Sequence, residues 1–147
     1  MAIRTGTGIW RGDRTGGAGT VALGSGAYDG PYSFSSRFEE GKGTNPEELI
    51  AAAHAGCFAM ALSNGLATAG FTPTEVRVEA KVHLGRDATG AAITKIELVC
   101  RAAVPGIDAA TFSAQAEAAK VGCPVSKALA AVPIELDAAL TRGATTR

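Results

Sequence analysis

A chain of 147 residues with 46% hydrophobic side chains holds enough apolar material for one packed domain, and its composition is not that of a disordered chain. Its 14 basic and 14 acidic residues give a formal net charge of zero. That balance, with no basic stripe and few aromatics, argues against nucleic-acid binding and gives no pull towards anionic membranes.

The N-terminus, Met1-Ala2-Ile3-Arg4-Thr5-Gly6, lacks the apolar core of a signal peptide, so the expectation is a cytoplasmic protein. Residues 1–38 are glycine-rich and carry short β-type runs at Gly8–Arg11, Thr20–Leu23 and Tyr32–Phe34. Gly16–Gly19 and Asp29-Gly30-Pro31 are turn signals between them. This predicts a three-stranded antiparallel meander, with a loop over Glu39–Thr44 after it.

Asn45-Pro46-Glu47-Glu48 is a helix start. Asn45 suits the N-cap, Pro46 suits the first helical position, and Glu48 completes a capping-box-like pattern. The predicted helix covers 45–69 and stops at Gly70. At about 100° per residue its apolar side chains point in every direction, and Leu49, Ile50, Phe58, Leu62 and Leu66 do not share a stripe. A helix apolar on all sides is buried on all sides. It therefore belongs at the centre of the fold or between two subunits. Its many alanines, with His54, Ser63 and Asn64, fit a buried soluble helix better than a membrane span.

Two alternating segments come next. Val76, Val78, Ala80, Val82 and Leu84 alternate with charged residues and His83, and Ile96, Leu98, Cys100 and Ala102 repeat the pattern after a turn at Arg86–Gly90. They predict half-buried antiparallel strands. Asp108 caps a second long helix that ends at Gly122, and Cys123-Pro124 opens a short third one. Ile134–Leu140 reads as a last strand and 143–147 as a polar tail. The order βββ-α-ββ-α-α-β is an α+β pattern without internal repeats, over a single domain at 1–147.

Three cysteines in such a chain do not make a disulfide framework. Cys100 lies on the apolar face of a strand and reads as packing. Cys123 begins a helix, where a thiolate is favoured, and it equally well fills the start of a turn. Cys57 lies inside the apolar helix, where burial raises a thiol pKa. It reads as packing unless a cation is brought to it. His54 and Cys57 have acceptable ligand spacing, but no second pair completes a site, so neither metal nor cofactor is expected. A Cys–His hydrolase lacks an evident orienting acid.

The segment RFEEGKGTNPEELIAAAHAGCFAMALS, Arg37–Ser63, closely resembles the OsmC family of osmotically inducible peroxidases. Ala103–Asp108 and Ala119–Ser126 supply two further matching blocks in the same order. The resemblance covers essentially the whole chain, with Gly56 the one departure, where alanine is the family's residue. It implies an intertwined homodimer with two sites at the subunit interface and a long central helix against antiparallel sheet.

It further implies that Cys57 attacks a peroxide and Cys123 resolves the product. Arg37 matches the family's arginine, and Glu47, ten residues before Cys57, matches its glutamate. Glu47 otherwise reads as an acid favoured by the helix dipole, Arg37 as a solvated loop residue. Whether Glu47 or Glu48 pairs with Arg37 is left open by the sequence. An arginine beside Cys57 would lower the thiol pKa, and a bidentate glutamate would orient it. Phe34, Phe38 and Phe58 point to a greasy pocket.

The implied reaction is reduction of organic hydroperoxides, and of hydrogen peroxide less well, through a Cys57 sulfenic acid and a Cys57–Cys123 disulfide opened by an external dithiol. Lipoylated proteins are among the reductants to which the sister branch of organic hydroperoxide resistance proteins points. The setting would be oxidative and osmotic stress defence. The rival readings are a redox-sensing binding protein without sustained turnover, a stress-packing dimer with core cysteines, and a thiol hydrolase.

Overall fold

The computed structural model describes residues 1–142; the polar tail read over 143–147 lies outside the described residues. Where the sequence reads as one domain, contacts gather the chain into two compact units. One is Met1–Leu49, and the other begins at Ile50. The elements are α+β.

In the first unit, β1 (Gly6–Arg11), β2 (Ala18–Leu23) and β3 (Asp29–Tyr32) form an antiparallel sheet in the order β1-β2-β3. The predicted meander is present, with its third strand shifted. Asp29-Gly30-Pro31 is strand rather than turn, and Tyr32–Phe34 is strand end and helix start. Gly19 pairs with Trp10 on one side and Tyr32 on the other. A Cβ there would meet both rings, which pack 5.2 Å apart between centroids. The glycine is what lets two large aromatics close over one position.

The meander also ends earlier than residue 38, because Phe34–Phe38 forms a short helix, α1. Its N-terminus carries a reciprocal cap: Ser33 Oγ accepts from the Ser36 N–H, and Ser36 Oγ accepts from the Ser33 N–H. The predicted loop lies between α1 and the next helix.

Helix α2 (Pro46–Thr68) begins as the sequence indicates. The Glu48 N–H donates to Asn45 Oδ1 at 2.7 Å. The other half of the predicted capping box is absent, since the Glu48 carboxylate instead accepts from Thr44 Oγ1 at 2.7 Å.

The second unit holds β4 (Glu75–Asp87), β5 (Gly90–Ala103), α3 (Ala109–Gly122), α4 (Pro124–Ala128) and β6 (Ile134–Leu140). The β4 and β5 strands are antiparallel, with Asp87 opposite Gly90, so the turn tightens to Ala88-Thr89. Gly90 has φ +129°, a conformation that disfavours any other residue. The sheet is not purely antiparallel, because β6 pairs with β5 in parallel. Helices α3 and α4 lie between those strands in the chain, so β6 returns as a crossover. Asp108 caps α3, accepting from the Thr111 N–H at 2.6 Å.

Burial of α2 departs from the expectation of an all-round core helix. His54, Phe58, Leu62 and Leu66 form a buried stripe at four-residue spacing, and the last three pack with Ile96, Leu98, Cys100 and Phe112. Ala52, Ala53, Gly56, Met60 and Ala67 on the other side are exposed, Met60 at 77%. The one-stripe arrangement is hidden in the sequence because alanines fill every other direction.

Candidate active site

The first unit places Arg37 and Glu47 together. Arg37 is on α1, and Asn45 Nδ2 and Ser36 tie that helix to the start of α2: Nδ2 donates to Ser36 O at 2.9 Å and Ser36 Oγ donates to Thr44 O at 2.7 Å. With both helix starts fixed, Arg37 Nε and Nη2 donate to Glu47 Oε1 and Oε2 at 3.0 and 2.9 Å. This is the planar fork-to-fork pairing that arginine is built for. Glu47, not Glu48, is the partner. The hydrogen bonds that Arg37 donates to Glu47 act first in raising the Arg37 pKa, so its charge is permanent.

Arg37 also borders a cavity of about 340 Å³ with Trp10, Arg14, Tyr32, Phe34 and Phe38. The Phe34 and Phe38 rings lie 4.9 Å apart between centroids, and Arg37 Cζ stands 5.3 Å from the Phe38 centroid, a cation–π distance. Phe58, expected in such a pocket, is instead a fully buried core residue of α2.

The second unit places Cys57 and Cys123 together. Cys57 is half-buried on α2, whereas Cys123 is fully buried as the N-cap of α4, with Pro124 just inside that helix. Both are free, and they stand close enough for each to shift the other's pKa. Burial pushes the Cys57 thiol up, the Val125 N–H opposes it, and the neighbouring Cys123 adds to the rise. Burial also pushes Cys123 up. The Ser126 hydroxyl and N–H, the Cys57 thiol and Val125 together outweigh it, and Cys123 ends below its ordinary value. Of the two thiols, Cys123 is therefore the one whose surroundings favour the charged form, and Cys57 the one whose burial disfavours it. Cys57 needs an outside cation to ionise, as the sequence argument required.

Cys100 is fully buried in the core, and burial pushes its thiol up to about 11. Among the described residues, no cluster of three histidine, cysteine or acidic side chains could hold a metal ion.

Two residues at the site have no role that the sequence alone assigns. Ser126 Oγ lies 3.1 Å from Cys123 Sγ, and the Ser126 N–H donates to the same sulfur at 3.3 Å. His54 Nε2 lies 2.8 Å from Ser126 Oγ, with both residues buried. A signal for Ser126 is present in the sequence: it stands three residues after the Cys123 N-cap, where an N-cap side chain bonds the backbone. His54 reveals itself only in three dimensions, because its partner is on another helix.

A pair of neighbouring thiols on an α+β scaffold defines a thiol redox protein. A family model, that of OsmC-like proteins, matches residues 39–137, and the chain belongs to that family. It is 56% identical over 123 residues to "Peroxiredoxin OsmC" of Escherichia coli strain K12, covering 83% of this chain and 86% of that protein. It is 39% identical over 89 residues to an "Organic hydroperoxide resistance protein" of Xanthomonas axonopodis pv. citri, covering 60% and 61% of the two. Among solved structures, the organic hydroperoxide resistance protein OhrB of Bacillus subtilis superposes with a TM-score of 0.73 at 27% identity, covering 92% of this chain and 98% of that one. An OsmC-like protein from Vibrio cholerae shares the fold at a TM-score of 0.76 and 16% identity, over 95% of this chain and all (100%) of that one.

Proposed function

We propose that the protein is a cysteine-dependent peroxidase that reduces organic hydroperoxides. The observation that carries this reading is the Cys57–Cys123 pair: two thiols distant in sequence, brought close enough to shift each other's pKa and left with unequal proton affinities. Such a pair can be oxidised to a disulfide and reopened without rebuilding the fold. Names of relatives, peroxiredoxin and hydroperoxide resistance protein, support the peroxide as oxidant.

The Cys57 thiolate attacks the terminal peroxide oxygen. An S–O bond forms, the O–O bond breaks, and the alkoxide leaves as an alcohol with one proton. Cys57 is then a sulfenic acid. The Cys123 thiolate displaces its hydroxyl as water, giving the disulfide. A dithiol, of the lipoyl class in this reading, reopens it by thiol–disulfide exchange.

The family resemblance gives Arg37 the part of the cation that lowers the attacking thiol's pKa and holds a peroxide oxygen, and Glu47 fixes its fork in one orientation. The aromatic cavity beside Arg37 supports an apolar substrate tail. The protein acts as a homodimer in this reading. The exposed, largely small-residue side of α2 that carries Met60 is the surface that a second copy would cover.

Steady-state turnover with a dithiol reductant tests the reading. The expected result is sustained turnover, with kcat/KM higher for an alkyl hydroperoxide than for hydrogen peroxide. Equal values would remove the substrate preference. A single oxidation without turnover would make the protein a redox sensor instead.

A further inference from the structure

We propose that Ser126 is a catalytic residue of the resolving step and His54 its positioning residue. His54 aims the Ser126 hydroxyl at Cys123 Sγ and so holds that sulfur as the nucleophile for the oxidised Cys57. This rests on the reading of Cys123 as the resolving cysteine and goes beyond it by naming what activates that cysteine.

The geometry carries the inference. His54, Ser126 and Cys123 form a continuous buried chain, Nε2 to Oγ at 2.8 Å and Oγ to Sγ at 3.1 Å. His54 Nδ1 is buried with no hydrogen-bond partner among the described residues. An orphaned buried N–H is rarer than an orphaned acceptor. The ring proton therefore sits on Nε2 and donates to Ser126 Oγ. That fills one lone pair of the hydroxyl and leaves its own proton free to turn towards sulfur. While protonated, Cys123 Sγ donates to Ser126 Oγ and accepts from the Ser126 N–H; once that proton is lost the hydroxyl turns, and the thiolate receives Ser126 O–H and N–H together. Burial keeps His54 neutral, so it orients and does not itself carry the charge.

In the step served, Cys123 Sγ attacks the sulfur of Cys57 sulfenic acid. The S–S bond forms and the S–O bond breaks. Cys123 is oxidised and Cys57 reduced to the disulfide level. The departing hydroxide becomes water with the proton Cys123 gave up.

The test monitors one turnover. Reduced protein is mixed with one equivalent of an alkyl hydroperoxide, and peroxide loss and the Cys57–Cys123 disulfide are timed separately. In Ser126→Ala the disulfide should form at least about tenfold more slowly relative to peroxide loss, the scale of one lost hydrogen bond to a charged group. Cys57 sulfenic acid should accumulate, and pass to sulfinic acid when a second equivalent of hydroperoxide is added. His54→Leu should behave the same way, and the double variant no worse than either single one. In the Cys57→Ser background the ultraviolet absorbance of the Cys123 thiolate at neutral pH should fall on adding Ser126→Ala, which a merely structural role would not produce.

A disulfide formed at wild-type rate in Ser126→Ala or His54→Leu overturns the relay and leaves the peroxidase reading intact. Absence of any Cys57–Cys123 disulfide in the wild-type protein overturns the dithiol reading, and the relay with it.

Discussion

Arg37 and Glu47 meet through two parallel hydrogen bonds, yet their ends stand in unequal solvent: the glutamate side chain is 9% exposed and the arginine 37%. The pair is therefore asymmetric under mutation. Removing Glu47 leaves a guanidinium that water can solvate, whereas removing Arg37 leaves a buried carboxylate with neither fork donor.

Arg37→Ala should consequently destabilise the protein more than Glu47→Ala, by about 1–3 kcal/mol. Urea unfolding of the two variants at neutral pH measures the difference. Equal losses would mean that the helix N-terminus alone satisfies the Glu47 carboxylate.

Cys100 sets a pH dependence. Its thiol has a folded pKa of about 11 against an ordinary value of 9.0. Between those values the folded chain keeps a proton that the unfolded chain has lost, so stability present below pH 9 declines as pH rises towards 11. The decline due to this residue is about 2–3 kcal/mol. Cys100→Ala should flatten that part of the stability curve, and the two curves measured by denaturant from pH 8 to 11 give the difference directly. Parallel curves would show that Cys100 does not titrate in this way.

Met60 tests the assembly. It is 77% exposed on a side of α2 whose other exposed residues include Ala52, Ala53, Gly56 and Ala67, with Asn64 one turn away. Met60→Asp should convert a dimer into a monomer in sedimentation equilibrium, because a carboxylate cannot be buried unpaired in an apolar interface. A wild-type protein that is already monomeric would contradict the proposed assembly.

Much of this is legible in the sequence because it rests on local rules. Alternation marks β4 and β5, Asp108 and Asn45 mark helix starts, and Ile134–Leu140 marks β6. The residues of both candidate pairs come from the family resemblance. The features that escape are either very short or non-local. Helix α1 spans Phe34–Phe38 and has only its serine cap to announce it. The parallel pairing of β6, the choice of Glu47 over Glu48, and the His54–Ser126 bond depend on which elements meet, and a single chain of letters does not state that. The thiol order follows the local expectation, Cys57 raised by burial and Cys123 lowered at a helix start, but the part Ser126 plays in lowering Cys123 is visible only in three dimensions.

The central claim is the division of labour between Cys57 and Cys123, and single-turnover oxidation by an alkyl hydroperoxide, with intact-mass analysis of Cys57→Ser and Cys123→Ser, tests it most directly. The account predicts that Cys57→Ser consumes no peroxide, and that Cys123→Ser consumes one equivalent, gains one oxygen at Cys57 and then stalls or over-oxidises. Peroxide consumption at the wild-type rate by Cys57→Ser would contradict it, and would leave Cys57 as a packing residue beside another centre.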